Sequence, residues 1–556
     1  MAALATAPVG ELDFDAAGRL LLTDLLQARV DETPDAVALH SPAGVWTFAQ
    51  WLHRATTVGS ALDEAVRLEP GACVLVWVDT VDSREVAGAL HGVLHAGGIA
   101  APLDDRLSAP EVLRFAADTD AHAAVVSRGL LLREGLEVAD SLPGARDEDL
   151  LVVPISGGVL QPARALLVPQ AGKGTASREA AVRRAPDDCA FLAFTSGSTG
   201  RPKAAMITHG GSVQLAERMA NAVFAAPRGG RRLRPADVIQ SPIPAHLGTS
   251  VANNLYPAAF TGCTLSYRGR RFDPAASERE MVERKTTIYN GAAAHFAMMC
   301  QLPETELTGR VATEVMIASG SPLTKTLYEA MRRRWPAVSV ANWYALNETM
   351  VGQTLNCGKG MEVDPTAVGT VVWPTELKIV DDAGAELPAG EDGEILLRSP
   401  GQMTGYYRRP EETAERIVDG WIRTGDLGRI NAGDGMLRIT GRSGDRINRG
   451  AFKFYPAEVE EVLAAHPAVA DVGVVGVPHP TLGQDVAAFV VLRQPDADPV
   501  AELQNYCRQR LSRHKVPAHF RVVDSLPRNN FGKLVRRELL SRWEQEPAGA
   551  DQQERE

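Results

Sequence analysis

Two hydrophobic periods take turns along the first part of the chain. In LLLTDLLQARVDETPDAVAL the apolar positions recur at helical spacing and then, past a Thr-Pro turn, run on as a strand. GACVLVWVDT is a short apolar run entered from a glycine and predicts a strand. SREVAGALHGVLHAGG carries the helical period and closes on paired glycines, a helix C-terminal signal, and IAAPLD predicts the next strand. This alternation over residues 20 to 130 predicts a parallel α/β sheet. The period fades between residues 143 and 188, where Pro, Gly and Ala dominate and a variable connection is expected. Phe191-Leu192-Ala193-Phe194 and AAMIT then read as strands and GSVQLAERMANAVF as a helix, with α/β patterning to about residue 350. From VGTVVWPTELKIV to GMLRITGR the texture changes to short strands broken by Gly, Pro and Asp turns, predicting a β-rich subdomain over about 362–442. Helices and strands mix again to about residue 543. The polar tail, 546–556, is expected to be disordered.

With 556 residues the chain is too long for one ordinary core, so at least two domains are expected. A composition of 45% hydrophobic and 23% charged residues is that of a globular protein. The net charge of −11 argues against a general nucleic-acid partner but leaves an anionic small substrate open, because local basic loops can hold one. The six cysteines show no CxxC or metal-ligand spacing and are expected to be buried reduced thiols. No run approaches the roughly 18 apolar residues of a membrane span. The acidic start without a basic n-region predicts no signal peptide, and a cytoplasmic location is expected.

The chemistry concentrates first in FTSGSTGRPKAAMITHGG, residues 194–211. A strand feeding a Gly/Ser/Thr loop turns backbone N–H groups and hydroxyls inward, which suits a polyphosphate. Lys203 adds a point charge and Arg201 a planar fork. The spacing is not that of a Walker A loop.

TSGSTGRPK resembles the phosphate loop of the adenylate-forming superfamily: acyl- and aryl-CoA synthetases, carrier-loading adenylation domains and firefly luciferase. The resemblance extends in order over about residues 20 to 543. It implies β/γ-phosphate binding by Thr195, Ser196, Gly197, Ser198, Thr199, Gly200 and Lys203, with Thr199 also counted among the catalytic residues. YALNET (344–349) is similar to the family's Tyr-Gly-x-Thr-Glu segment, which implies adenine stacking by Tyr344 and Mg2+ ligation by Glu348. Here Ala345 replaces Gly, and Asn347 replaces Thr as the phosphate donor. GEILLRSPGQMTGYY (393–407) resembles the structural signature of the β-subdomain. GWIRTGDLG (420–428) implies that Asp426 accepts the ribose hydroxyls, and Arg442 in GRSGDRINRGAFKFYPAEVE (441–460) is the matching ribose contact. The family's hinge position is Gly444, followed by Asp445. LPRNNFGKLVRREL (526–539) matches the C-terminal lysine motif, which implies that Lys533 binds the carboxylate and the α-phosphate. The implied organisation is a large N-terminal domain, 1–442, of α/β subdomains plus the β-rich one, and a small mobile α+β C-terminal domain, 443–545.

The implied reaction turns a carboxylic acid and ATP into an acyl-adenylate and pyrophosphate, by positioning and charge neutralisation rather than a covalent enzyme intermediate. Rotation at Gly444 then admits a second nucleophile, in most relatives the phosphopantetheine thiol of CoA or of a carrier protein acting in trans. The family's glycine pair reads Gly450-Ala451 here, followed by Phe452, which narrows the thiol path and keeps an amine or nitrite acceptor open. A catalytically silent nucleotide-binding relative is a further alternative. On the acid side, SPIPAHLGTSVANN (241–254) supplies His246, Leu247 and Gly248, NGAAAHF (290–296) supplies Asn290, Gly291 and His295, and IASGSPL (317–323) supplies Gly320 and Ser321. Gly320 is also placed at the nucleotide. The Phe-Asp motif for an α-ammonium is absent, so an α-amino acid is not expected. INRG resembles aryl-acid-activating members, and an aryl or arylacrylic acid is favoured.

Overall fold

The structure is a computed structural model, and it describes residues 13–136, 145–169, 182, 184–195, 202–267, 269, 271–305, 307–350, 352–445, 447–449, 452–494, 499–528 and 534–545. The chain forms two compact units. One comprises Met1–Glu376 and Leu397–Ile422, the other Leu377–Leu396 and Arg423–Glu556.

The first unit holds two large sheets. In the first sheet, Cys73–Trp77 lies between Ile99–Pro102 and Ala123–Ser127, parallel to both, and Ile99–Pro102 is parallel to Cys189–Thr195. All five residues of Cys73–Trp77 are buried, as expected for a strand covered on both faces. Helices Phe48–Val66 and Ser83–His95 pack against each other. The former starts with a capping box in which Gln50 N–H donates to Thr47 Oγ1 and Thr47 N–H to Gln50 Oε1. The expected connection at 143–188 is corrected in part. Leu150–Ser156 pairs antiparallel with Ala123–Ser127, and Val159–Leu160 and Leu166–Leu167 pair onto it. The apolar run Leu150-Leu151-Val152-Val153, wholly buried, outweighs the loop-like composition around it.

The second sheet of this unit carries the parallel order Ser339–Tyr344, Val315–Ser319, Ile288–Ala292, Val238–Ser241, Thr264–Tyr267 and Val37–Ser41, with antiparallel strands at both margins. Its strands are joined through helices such as Pro274–Glu283 and Lys325–Arg334.

In the second unit the strand Trp421–Ile430, from Arg423 onward, runs antiparallel to Leu437–Arg442. Beyond it, Val469–His479 and Gly483–Leu492 form a long hairpin joined by Ile447–Arg449, Phe452–Phe454 and His519–Val522. Val459 and Leu463 on helix Pro456–Ala464 and Leu503 and Cys507 on helix Val500–Arg508 are buried in one core with Val474, Val486 and Val490. This is the α+β texture expected after residue 443. The cysteines correct one expectation. All six are free, but only Cys73, Cys263 and Cys507 are buried, while Cys189, Cys300 and Cys357 are half-buried. The tail at 546–556 lies outside the described residues. Among the described residues no helix is long and apolar enough to cross a membrane.

Candidate active site

The strands that flank residues 196–202 form a β-hairpin. Cys189–Thr195 pairs antiparallel with Lys203–Thr208, in a register that sets Thr195 opposite Lys203. Thr195 Oγ1 donates to the Lys203 carbonyl at 3.4 Å. Ser196, Gly197, Ser198, Thr199 and Gly200 lie outside the described residues.

Four of the predicted segments share one end of the second sheet. Strands Val238–Ser241, Ile288–Ala292, Val315–Ser319 and Ser339–Tyr344 are neighbours and parallel. His246, Asn290-Gly291, Gly320 and Tyr344 all sit at or just past their C-terminal ends. That end of an open α/β sheet is where ligands bind, because loops of adjacent strands diverge there and leave a crevice. Gly320 has φ +73, a backbone conformation that favours glycine, and a Cβ there would meet nothing within 4 Å. Gly248 has the opposite reason for its identity, since a Cβ would come within 2.7 Å of Ala193 Cβ.

The polar groups on this side differ in availability. His246 is buried, with neither ring nitrogen hydrogen-bonded, and its Nε2 lies 3.8 Å from Asp104 Oδ2. Burial lowers its pKa, opposed in part by Asp104 and Asp105, which favours the neutral imidazole. Asn290 donates to Asn254 Oδ1 at 2.8 Å, and its own Oδ1 is buried without a partner. His295 accepts the Ala292 N–H on Nδ1 at 3.0 Å and packs on Phe272, with ring centroids 4.6 Å apart, so it serves as a helix cap. Leu247 and Ser321 are half-buried.

The turn after Tyr344 ties this sheet to the loop hairpin. Asn347 Nδ2 donates to the Phe194 carbonyl at 2.9 Å, one residue before Thr195. Glu348 is buried, and its Oε1 accepts from the Tyr406 hydroxyl at 2.7 Å and from Arg416 Nη2 at 2.8 Å. Burial first, and the Glu348 charge second, push the Tyr406 pKa up, so its hydroxyl stays a donor. Lys203 Nζ lies 3.4 Å from Glu412 Oε2 and 5.2 Å from the Tyr406 ring centroid. Tyr406, Glu412 and Arg416 were not singled out from the sequence. The usable signal was the i,i+4 Glu/Arg pair in RRPEETAER, which puts both charges on one helix face.

Mg2+ fits this donor set. It takes hard oxygen ligands, commonly one or two carboxylates completed by substrate phosphates and water. Glu348 is one buried carboxylate in the turn that Asn347 ties to the strand ending at Thr195. Among the described residues there is no cluster of three or more His, Cys, Asp and Glu that would make an all-protein cage.

In the second unit, Asp426 and Arg442 are cross-strand partners, and Arg442 Nε lies 2.8 Å from Asp426 Oδ1. Asp426 is buried, whereas the Arg442 side chain is half exposed. Gly444 lies in the short turn Ser443–Asp445, and a Cβ there would meet nothing within 4 Å. Asp445 Oδ2 pairs with Arg536 Nη1 at 3.0 Å, and Arg536 also holds both oxygens of Glu460 at 2.7 Å. Lys533, Gly450 and Ala451 lie outside the described residues.

Residues 26–407 match the family model described as AMP-binding enzyme, and residues 458–533 match that of the AMP-binding enzyme C-terminal domain. The 2-succinylbenzoate–CoA ligase of Geobacillus kaustophilus (strain HTA426) is 29% identical, over 92% of this chain and 96% of its own length. The crystal structure of ATP-bound MatB from Rhodopseudomonas palustris is similar, with a TM-score of 0.78 at 25% identity, covering 94% of this chain and 99% of that one. The amide bond synthetase McbA from Marinactinospora thermotolerans gives a TM-score of 0.77 at 26% identity, with coverage of 94% and 99%. With one family model matching more than half of its length and a second matching its C-terminal part, the chain belongs to the AMP-binding enzyme family.

Proposed function

We propose that this chain is an AMP-forming acid–thiol ligase acting on an aryl or arylacrylic acid. A carboxylate oxygen of the acid attacks the α-phosphorus of ATP, the bond to pyrophosphate breaks, and the acyl-adenylate forms. The sulfur of CoA or of a carrier-bound phosphopantetheine then attacks the acyl carbon, AMP leaves, and the thiol proton passes to solvent. The observation that carries this reading is the Asn347–Phe194 bond, which sets the Glu348 turn against the hairpin leading into the polyphosphate loop. Thr195 to Gly200 and Lys203 bind the β- and γ-phosphates, Tyr344 stacks on adenine, and Asp426 with Arg442 recognises ribose. Lys533 stabilises the charge developing at the α-phosphate. Glu348 holds Mg2+, which neutralises phosphate charge when bound. His246, neutral and without a hydrogen-bond partner, is a donor for the substrate carboxylate at the floor of the crevice. Gly444 is the pivot of the 443–545 domain.

An amine acceptor is the second reading. The likeness to an amide bond synthetase favours it, as does Ala451 in place of the second glycine. Mass spectrometry of products from the purified protein, ATP, Mg2+ and a panel of acids separates the two readings. An acyl-CoA formed from an aryl acid supports the first. Adenylate, AMP and pyrophosphate with no CoA adduct, and an amide on addition of amines, supports the second. Absence of pyrophosphate with every acid refutes both.

A further inference from the structure

Two side chains of opposite charge on helix Pro410–Arg416, Glu412 and Arg416, each face one of the two residues assigned to MgATP. Arg416 Nη2 lies 2.8 Å from Glu348 Oε1, and Glu412 Oε2 lies 3.4 Å from Lys203 Nζ. The residues are four apart, so they point from the same helix face. Tyr406 stands between the two pairs, with its hydroxyl on Glu348 and its ring beside Lys203. Its backbone is fastened to the same helix, since Tyr406 N–H donates to Thr413 Oγ1 at 2.8 Å, and that hydroxyl donates to the Arg409 carbonyl at 2.7 Å. Arg409 Nη1 also reaches Glu412 Oε1 at 3.3 Å.

The arrangement sets up an exchange of charges. Glu348 Oε1 already accepts two hydrogen bonds, one of them from a cation, which fills the capacity of that oxygen and leaves Oε2 for a further partner. A divalent ion brought to this carboxylate meets the like charge of Arg416 at close range. A phosphate brought to Lys203 meets the like charge of Glu412 in the same way. Both conflicts are relieved by one movement, because both charges belong to one seven-residue helix.

We propose that Arg416 and Glu412 are positioning residues that hold the places of Mg2+ and of phosphate, so that MgATP binding displaces helix Pro410–Arg416 from both partners at once. The proposal rests on the assignment of Glu348 and Lys203 to MgATP. It makes Mg2+ and nucleotide mutually dependent through the protein as well as through their own complex. It also makes Arg416 an opponent of the metal rather than its helper.

Calorimetric titration of the full chain with ATP across a series of Mg2+ concentrations tests this, together with hydrogen exchange of peptides covering residues 409–420. Arg416→Gln is expected to lower the half-saturating Mg2+ at least threefold, and Arg416→Lys to restore the wild-type requirement. Glu412→Gln is expected to tighten ATP binding without Mg2+ about threefold, the order of a modest charge pair. In the wild type, exchange over 409–420 should rise several-fold with ATP and Mg2+ together and not with either alone. An unchanged or raised Mg2+ requirement in Arg416→Gln overturns the proposal, as does exchange unmoved by ATP and Mg2+ together. Glu348→Gln separates the two levels: if it keeps the wild-type Mg2+ requirement, the assignment of Glu348 itself is wrong.

Discussion

The Asn347 amide ties the Glu348 turn to the strand ending at Thr195, so removing it tests the proposed nucleotide site directly. In Asn347→Ala the 2.9 Å bond to the Phe194 carbonyl disappears, and the carbonyl next to Thr195 loses that donor. A neutral hydrogen bond nets about 1 kcal/mol, and leaving a buried acceptor unpaired adds about 1–3 kcal/mol. Asn347 is only half-buried, so water relieves part of that penalty. A loss of about 1.5–2 kcal/mol follows, which is about a 10- to 30-fold rise in half-saturating ATP at about 1.4 kcal/mol per decade. The assay is ATP–pyrophosphate exchange at saturating acid, with thermal unfolding as a control for folding. Asn347→Thr keeps a shorter donor and should recover part of the loss, whereas Asn347→Asp sets a carboxylate against the carbonyl and should be worse than Ala. A half-saturating ATP concentration within twofold of wild type in Asn347→Ala, with folding intact, refutes the role given to this bond.

Three further outcomes are expected. Lys533→Ala should collapse adenylation while sparing thioester formation from supplied acyl-adenylate; equal loss in both half-reactions would show that Lys533 does not act in the first step alone. Burial, with His95 and His209 adding, pushes His91 down to about 3, and burial with Arg184 pushes His209 down to about 4, both from 6.5. The unfolded chain therefore binds the extra protons, and stability falls as pH drops from about 6.5 toward 4, by up to about 1.4 kcal/mol per pH unit for each histidine. Urea midpoints flat across that range would contradict the burial. Arg334 and Glu278 form a buried pair at 2.8 Å, each side chain 4% exposed, so Arg334→Met strands a carboxylate and should cost about 3–5 kcal/mol. The double variant with Glu278→Met should recover most of it in urea unfolding.

Much of this protein is legible locally. The parallel α/β order, the β-rich stretch and the mixed C-terminal part follow from hydrophobic periods that each segment carries by itself. The Gly/Ser/Thr pattern that suggests a polyphosphate loop is equally local, because its glycines and hydroxyls are consecutive. The strands at 150–167 are hidden in the sequence because loop-like composition surrounds a short apolar run, and only their pairing at the sheet margin reveals their place.

What the sequence could not supply is the partner of each polar group. Asn347 finds a carbonyl 153 residues away, and Glu348 finds a tyrosine and an arginine 58 and 68 residues further on. His246 comes to face Asp104, and Asp426 comes to face Arg442 across a hairpin. A buried polar group must be paired or bear a large cost, yet its residue type says only that a partner is needed. Which partner it meets depends on where the chain returns. The sequence by itself therefore determined the architecture and the class of chemistry. The tertiary structure alone decided that Lys203 and Glu348, both assigned to MgATP, are each held by an opposite charge on a single short helix.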